Sequence, residues 1–344
     1  MASFTESGCL SKLATMLLIG ALMGNFEIAG AQSIGICYGM QGDNLPSKPD
    51  VIQLYKSNNI QRMRIYDPDQ EALQALRGSD IEVIVGVPND QLQNMADPTA
   101  ANDWVQANIV TYRSDVKFRY INVGNEVFPD PATQSYDRAS QVLPAMRNIY
   151  NAIQSVGLQD QIKVSTAVYS SVLGKSYPPS ETTFNGDAAQ YMGPIVNFLV
   201  ETGAPLLANV YPYFSKKFGP DIDLSYALFT STAVNSEGYR NLFDAMVDAL
   251  YAAVEKVGGS SVKIVVSESG WPSAGSDLAT KENAQTYNQN LIGHVAQGTP
   301  KRPGPIETYV FAMFNENKKH GEEEERNFGL FNPDKSPVYP ISFN

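Results

Sequence analysis

Two glutamates, Glu126 and Glu268, each stand where a strand-like apolar run stops. The first closes Phe118-Arg-Tyr-Ile-Asn-Val-Gly-Asn-Glu126. The second interrupts Lys263-Ile-Val-Val-Ser-Glu268-Ser-Gly-Trp-Pro-Ser273. A carboxylate at the end of a buried strand is costly unless the strand opens onto a site that uses it. Either Glu alone reads equally well as charge placed where a strand meets water. Two in matching positions suggest a pair working across one cleft, and carboxylate pairs are the usual machinery of glycosidic bond cleavage.

The elements that must position them are legible as alternating patterns. Runs rich in Val, Ile and Tyr occur at 34–38, 62–66, 82–87, 118–123, 163–168, 206–211, 263–267 and 307–314. They are nearly continuous in apolar character, as strands buried on both faces should be. Helical spacing appears at 49–58, 101–112, 139–156, 241–257 and 280–297. Eight alternations predict a (β/α)8 TIM barrel, with a doubly wound open sheet as the competing architecture. One connection is overlong, Pro212 to Arg240, and predicts a small insertion after the sixth strand.

On this count Glu126 follows the fourth strand and Glu268 ends the seventh, which places both at the C-terminal rim. Asn125 offers an amide to a sugar hydroxyl, while Ser267, Ser269 and Trp271 are expected to crowd Glu268. Aromatic faces near the rim are Tyr66, Tyr211, Tyr213, Phe214, Trp271 and Phe314. Of these, Tyr211 and Trp271 are expected to line a groove.

Composition narrows the partners. The chain has 344 residues, 43% hydrophobic and 18% charged, an ordinary globular balance. Leu13 to Gly24 is a short apolar core behind Lys12, and Ala29-Gly30-Ala31 has a small-x-small cleavage pattern. Residues 1–31 are therefore read as a secretory signal peptide and 32–344 as one catalytic barrel domain. Losing Glu6, Glu27 and Lys12 with that leader moves the net charge from −11 to −10. Such an acidic chain is a poor candidate for nucleic acid or an anionic membrane, and a neutral polymer suits it better. No lipid-anchor signal is visible, and a monomer is expected. Cys37 would remain as a lone buried thiol.

Other chemistries lack their residues. His294 lies in an amphipathic helix and His320 in a charged loop, so they form neither a metal pair nor a Ser-His-Asp set. No phosphate-cradling glycine loop occurs, and no cofactor or metal is expected.

The strings Val123-Gly-Asn-Glu126 and Val265-Val-Ser-Glu-Ser-Gly-Trp-Pro-Ser273 resemble the acid and nucleophile motifs of plant endo-β-1,3-glucanases, glycoside hydrolase family 17. The similarity extends through Ile36-Cys-Tyr-Gly39, Met63-Arg-Ile-Tyr-Asp67, Gly203 to Phe214, Phe311-Ala-Met-Phe-Asn-Glu-Asn317 and Phe328-Gly-Leu-Phe-Asn-Pro-Asp334. The resemblance implies Glu126 as proton donor, Glu268 as nucleophile and supporting roles for Tyr66, Glu316, Lys319 and Glu325. Lys319 would help keep Glu268 ionised. Of the run Glu322 to Glu325, only Glu325 would serve the site, the other three being solvated charge. A secreted retaining hydrolase of internal β-1,3-glucan bonds is implied, and the acidic charge favours the extracellular space or cell wall over the vacuole. Its implied role is defence or wall remodelling. A mixed-linkage β-1,3-1,4-glucan hydrolase and a non-catalytic glucan-binding protein remain the alternatives.

Overall fold

Apolar runs without polar alternation need cover on both faces, and parallel strands wrapped by helices supply it. The computed structural model describes residues 34–128 and 136–343; the expected leader and the mature start at Gln32 lie outside them. The strands are β1 Ile34–Cys37, β2 Arg62–Ile65, β3 Glu82–Val87, β4 Lys117–Asn125, β5 Lys163–Tyr169, β6 Leu206–Asn209, β7 Ile264–Ser269 and β8 Thr308–Val310. Each pairs in parallel with the next, and β1 pairs with β8 through Ile34–Thr308 and Ile36–Val310, closing the barrel. Closure rules out the doubly wound sheet.

Ten helices among the described residues connect the strands: α1 Lys48–Ser57, α2 Gln70–Leu76, α3 Leu92–Met95, α4 Pro98–Val105, α5 Tyr136–Ser155, α6 Gly186–Thr202, α7 Pro212–Phe218, α8 Leu224–Ala227, α9 Leu242–Lys256 and α10 Lys281–His294. Their starts carry the expected chemistry. Ser47, Asp69, Asp97, Asn185, Asn241 and Thr280 each accept a backbone N–H in the first turn of the helix they precede. Such a cap contributes typically ~1 kcal/mol. The insertion after β6 is real and contains α7 and α8.

Two of the departures from the expected boundaries have a local cause. β8 ends at Val310 because Ala312 and Phe331 hydrogen-bond within the C-terminal segment, through Ala312 N–H to Phe328 O and Phe331 N–H to Met313 O. The helical spacing at 101–112 breaks into α4 followed by a π-helical turn, Gln106–Val110.

The N-terminal ends of the strands are tied by charge. Arg119 holds both oxygens of Glu307 at 2.8 and 2.7 Å and reaches Glu82 at 3.1 Å. Arg62 binds the other Glu82 oxygen at 2.8 Å, and Tyr120 and Tyr309 donate to Glu307. These groups link β2, β3 and β4 to the residue before β8, across the floor of the barrel.

Candidate active site

Irregular pairing aims the two carboxylates. The β4–β5 register shifts between Asn122 and Asn125, a local extra length that turns the strand end. Gly124 (φ 75°) and Glu126 (φ 53°) both take left-handed conformations there. A Cβ at Gly124 would lie 2.7 Å from Val127 Cγ2, so the turn is closed to larger residues. A left-handed glutamate is uncommon and strained, and such strain collects at functional sites. The Glu126 N–H still bonds Ala167 O at 2.9 Å. Register also shifts on both sides of β7, next to Glu268.

Glu268 is 6% exposed and held by three donors. Tyr66 Oη donates to Oε1 at 2.8 Å, Tyr211 Oη donates to Oε2 at 2.7 Å, and Arg64 Nη1 lies 2.9 Å from Oε1. Both oxygens therefore act as acceptors, as a carboxylate requires. Burial raises both phenols well above their ordinary range, and the Glu268 charge adds to the effect. They stay neutral donors at any physiological pH.

Arg64 is fully buried inside the barrel and joins the two carboxylates. Its Nη1 also donates to Asn209 Oδ1 and Ser267 O, and its Nη2 to Asn125 Oδ1 at 2.7 Å. Asn209 in turn donates to Glu126 Oε1 at 2.6 Å and to Asn125 Oδ1 at 3.1 Å. A continuous chain thus runs Glu126–Asn209–Arg64–Glu268. Glu126 is exposed to solvent in the groove, yet the protein packed around the groove disfavours its charge and raises the carboxyl from 4.5 to about 7, with the Glu268 charge raising it further; the Asn209 bond, Arg64 and Lys319 oppose this. The pair is thus split into one group able to hold a proton near neutrality and one ringed by donors.

Both open onto one groove of ≈ 880 Å³, which Tyr66, Asn125, Tyr211, Glu316, Lys319 and Glu325 also line. Glu316 is 4% exposed, accepts from the Gln41 N–H at 2.8 Å, and is raised by burial. A Cβ on Gly39 would sit 2.3 Å from its Oε2, so the β1 turn must be bare there. Lys319 pairs with Glu325 at 3.0 Å and lies 4.2 Å from the Phe311 ring centre.

Several expectations need correction. Trp271 does not line the groove: it is fully buried, donates Nε1–H to Leu278 O, and packs on Tyr213 and Tyr287. Its neighbours point away as well. Ser267 Oγ bonds Asn209 and Ser269 Oγ meets Tyr287, so neither crowds Glu268. Tyr213 and Phe314 are core. The cation paired with Glu268 is Arg64, whereas Lys319 serves Glu325. Asn125 does line the groove, and because its Oδ1 accepts from Arg64 and Asn209, a contact with a sugar falls to its Nδ2. Glu324 is not solvated charge: it is buried, accepts from Tyr213 Oη at 2.9 Å and pairs with Lys217.

Arg64, Asn209 and Phe218 escaped the sequence reading. Arg64 could have been found as a charge flanked by the apolar Met63 and Ile65 of β2, and Asn209 as a polar strand end at the same rim. Phe218 closes α7 and is 76% exposed, stacked on Phe214 at 6.4 Å and 13°, with both rings on the groove. Cys37 is buried, and burial pushes its thiol up beyond ordinary reactivity. No described helix is long and apolar enough to cross a membrane, and no metal-type cluster occurs among the described residues.

Comparison with known proteins gives a consistent picture. The profile described as Glycosyl hydrolases family 17 matches residues 34–343. A glucan endo-1,3-beta-glucosidase from Vitis vinifera is 59% identical over 335 residues, covering 96% of this chain and 97% of that protein. An acidic isoform of glucan endo-1,3-beta-glucosidase from Nicotiana tabacum is 55% identical, with 96% and 97% coverage. Among solved structures, a beta-1,3-glucanase and allergen of Cryptomeria japonica pollen superposes with a TM-score of 0.88 at 51% identity, covering 91% of this chain and 99% of that one.

Proposed function

This chain belongs to glycosyl hydrolase family 17, and from that premise we propose that it cleaves internal β-1,3-glucosidic bonds of glucan chains with retention of configuration. The observation that carries the reading is the split pair: Glu126 holds a proton up to about pH 7, while Glu268 is fixed by Arg64, Tyr66 and Tyr211.

In the first step Glu268 attacks the anomeric carbon and forms an ester, the bond to the leaving oxygen breaks, and Glu126 gives that oxygen its proton. The ester carries no charge, so the Glu268 repulsion that helped raise Glu126 disappears. Glu126 is then free to act as a base. It takes a proton from water, the water oxygen attacks the anomeric carbon, and the ester bond to Glu268 breaks. Tyr66, on Oε1, and Tyr211, on Oε2, hold the attacking group in line throughout.

The groove of ≈ 880 Å³ is lined from Tyr38 at the β1 end to Phe218 in the insertion after β6, a breadth that suits a polymer. Its aromatic faces, Phe214 and Phe218 among them, suit the C–H faces of glucose rings. Secretion belongs to the same reading and rests on the apolar leader; N-terminal sequencing of exported protein should begin at Gln32, and an uncleaved chain would overturn it.

Proton NMR of the first products from linear β-1,3-glucan tests the mechanism. Retention predicts β-anomers first, and α-anomers would sink it. Rates on mixed-linkage β-1,3-1,4-glucan measured alongside test the linkage. Glu268→Ala should lower turnover about 10⁴-fold or more; near-normal rates would remove its assigned role.

A further inference from the structure

A second cavity of ≈ 560 Å³ opens beside the groove, between the loop after β5 and the insertion after β6. Ser170 and Ser215 line both spaces and form the sill between them. Asn209 lines the second cavity as well, and its amide is the group bound to Glu126 Oε1. The cavity therefore begins one side chain from the proposed acid. Its size falls within the range of small-molecule sites, roughly 300–1,000 Å³.

Its walls define the chemistry of an occupant. The α9 residues Leu242, Met246 and Leu250 supply an aliphatic floor. The rim is polar and aromatic. Tyr177 is 52% exposed, and its hydroxyl meets Ser236 Oγ at 3.2 Å across the mouth. Asn235 donates to Tyr226 Oη at 3.1 Å, and the exposed carboxylates of Asp221 and Asp223 stand nearby. No Lys, Arg or His lines the cavity among the described residues, whereas two carboxylates do. Phosphates and acidic sugars are therefore repelled, and a neutral polyol with apolar C–H faces is suited.

A β-1,3-linked chain spends O3 on its linkage and leaves the primary O6 of each residue free. A substituent on O6 departs sideways through a flexible hydroxymethyl link. The shared sill offers that sideways route, and the α9 floor ends it after a short distance. We propose that this cavity receives a one- or two-unit glucosyl branch carried on O6 of the chain in the groove. The proposal rests on the glucan reading given above.

The test uses two substrates, a linear β-1,3-gluco-oligosaccharide and the same backbone bearing one O6-linked glucosyl branch. Ser176→Trp fills the cavity from an exposed loop outside the groove, and Tyr177→Ala removes part of its wall. The wild-type protein should cut both substrates, with mass spectrometry placing the branch close to the new chain end. Ser176→Trp should lower kcat/KM on the branched substrate by roughly 10–100-fold and leave the linear one unchanged. Tyr177→Ala should shift the branched substrate in the same direction by less. Equal losses on both substrates would make the cavity part of the main-chain path and overturn the proposal. No change on either, or wild-type cutting only far from the branch, would overturn it too. A wild-type protein that leaves the linear substrate intact would instead remove the glucan reading on which the proposal stands.

Discussion

At the scale of single residues, the site is a problem of keeping two identical side chains different. Glu126 and Glu268 share a groove, yet one faces a single amide and the other three donors. This has a consequence for pH. Folded Glu126 keeps its proton to about pH 7, while its ordinary value is 4.5. Between those values the folded state binds more protons than the unfolded one, so the group lowers stability as pH rises through that window. Glu126→Gln should abolish hydrolysis and remove the penalty. Its melting temperature should exceed that of wild type at pH 8 and match it at pH 4. Groove water screens the charge, so the gain is ~1 kcal/mol or less. The wild-type rate should fall above about pH 7 as one proton is lost, which a pH–rate profile reads directly. Trp271 gives the opposite kind of test. Because it is core, Trp271→Ala should cost about 3–5 kcal/mol in urea unfolding. The remaining folded protein should bind glucan with unchanged KM; a raised KM with unchanged stability would put the ring back in the groove.

At the scale of elements, the segment after β6 is fastened rather than loose. Lys217, on α7, and Tyr213, at its start, converge on buried Glu324 in the 3-10 turn Glu323–Arg326. The next residue, Glu325, holds Lys319 in the groove. The same fastening links the Phe214–Phe218 pair and Lys319, which meet around Phe328 at the groove. Lys217→Met leaves Glu324 buried without its cation. It should raise KM for long glucans several-fold more than for short ones, because the outlying Phe218 platform loses its position. A uniform change at all chain lengths would contradict this.

Much of this architecture was legible from the residues. The eight strands stood out because parallel strands are apolar on both faces, and the rim position of both glutamates followed from counting them. α6 was missed because Gly193 and Pro194 interrupt its pattern, although both lie inside one helix. α2 was missed because seven residues are too few to establish a period. Arg64 and Asn209 stand in the sequence as a charge and an amide on their strands, but their roles could not be read there. Their importance comes from barrel closure, which brings β2 and β6 together around one interior. Trp271 misled because adjacency in sequence says nothing of direction, and successive strand-end residues point to opposite sides.

At the scale of the whole molecule, the rim and the floor do separate work. The carboxylates and groove occupy the C-terminal ends of the strands, while the Arg62–Glu82–Arg119–Glu307 network closes the N-terminal ends. Glu307→Ala strips Arg119 of its two-point partner and leaves the Tyr120 and Tyr309 hydroxyls without their acceptor. It should lower stability by about 2–4 kcal/mol in urea unfolding, while turnover measured well below the melting temperature stays at the wild-type level. Loss of turnover in a folded variant would show that the floor and rim are coupled.

The seam between β1 and β8 has a bearing on how the chain is made. A ribosome delivers Ile34–Cys37 first and Thr308–Val310 almost last. Throughout synthesis β1 has one edge with no neighbour, and its Ile34-Gly-Ile-Cys sequence carries no charge to guard it. An unguarded apolar edge invites pairing with other nascent chains.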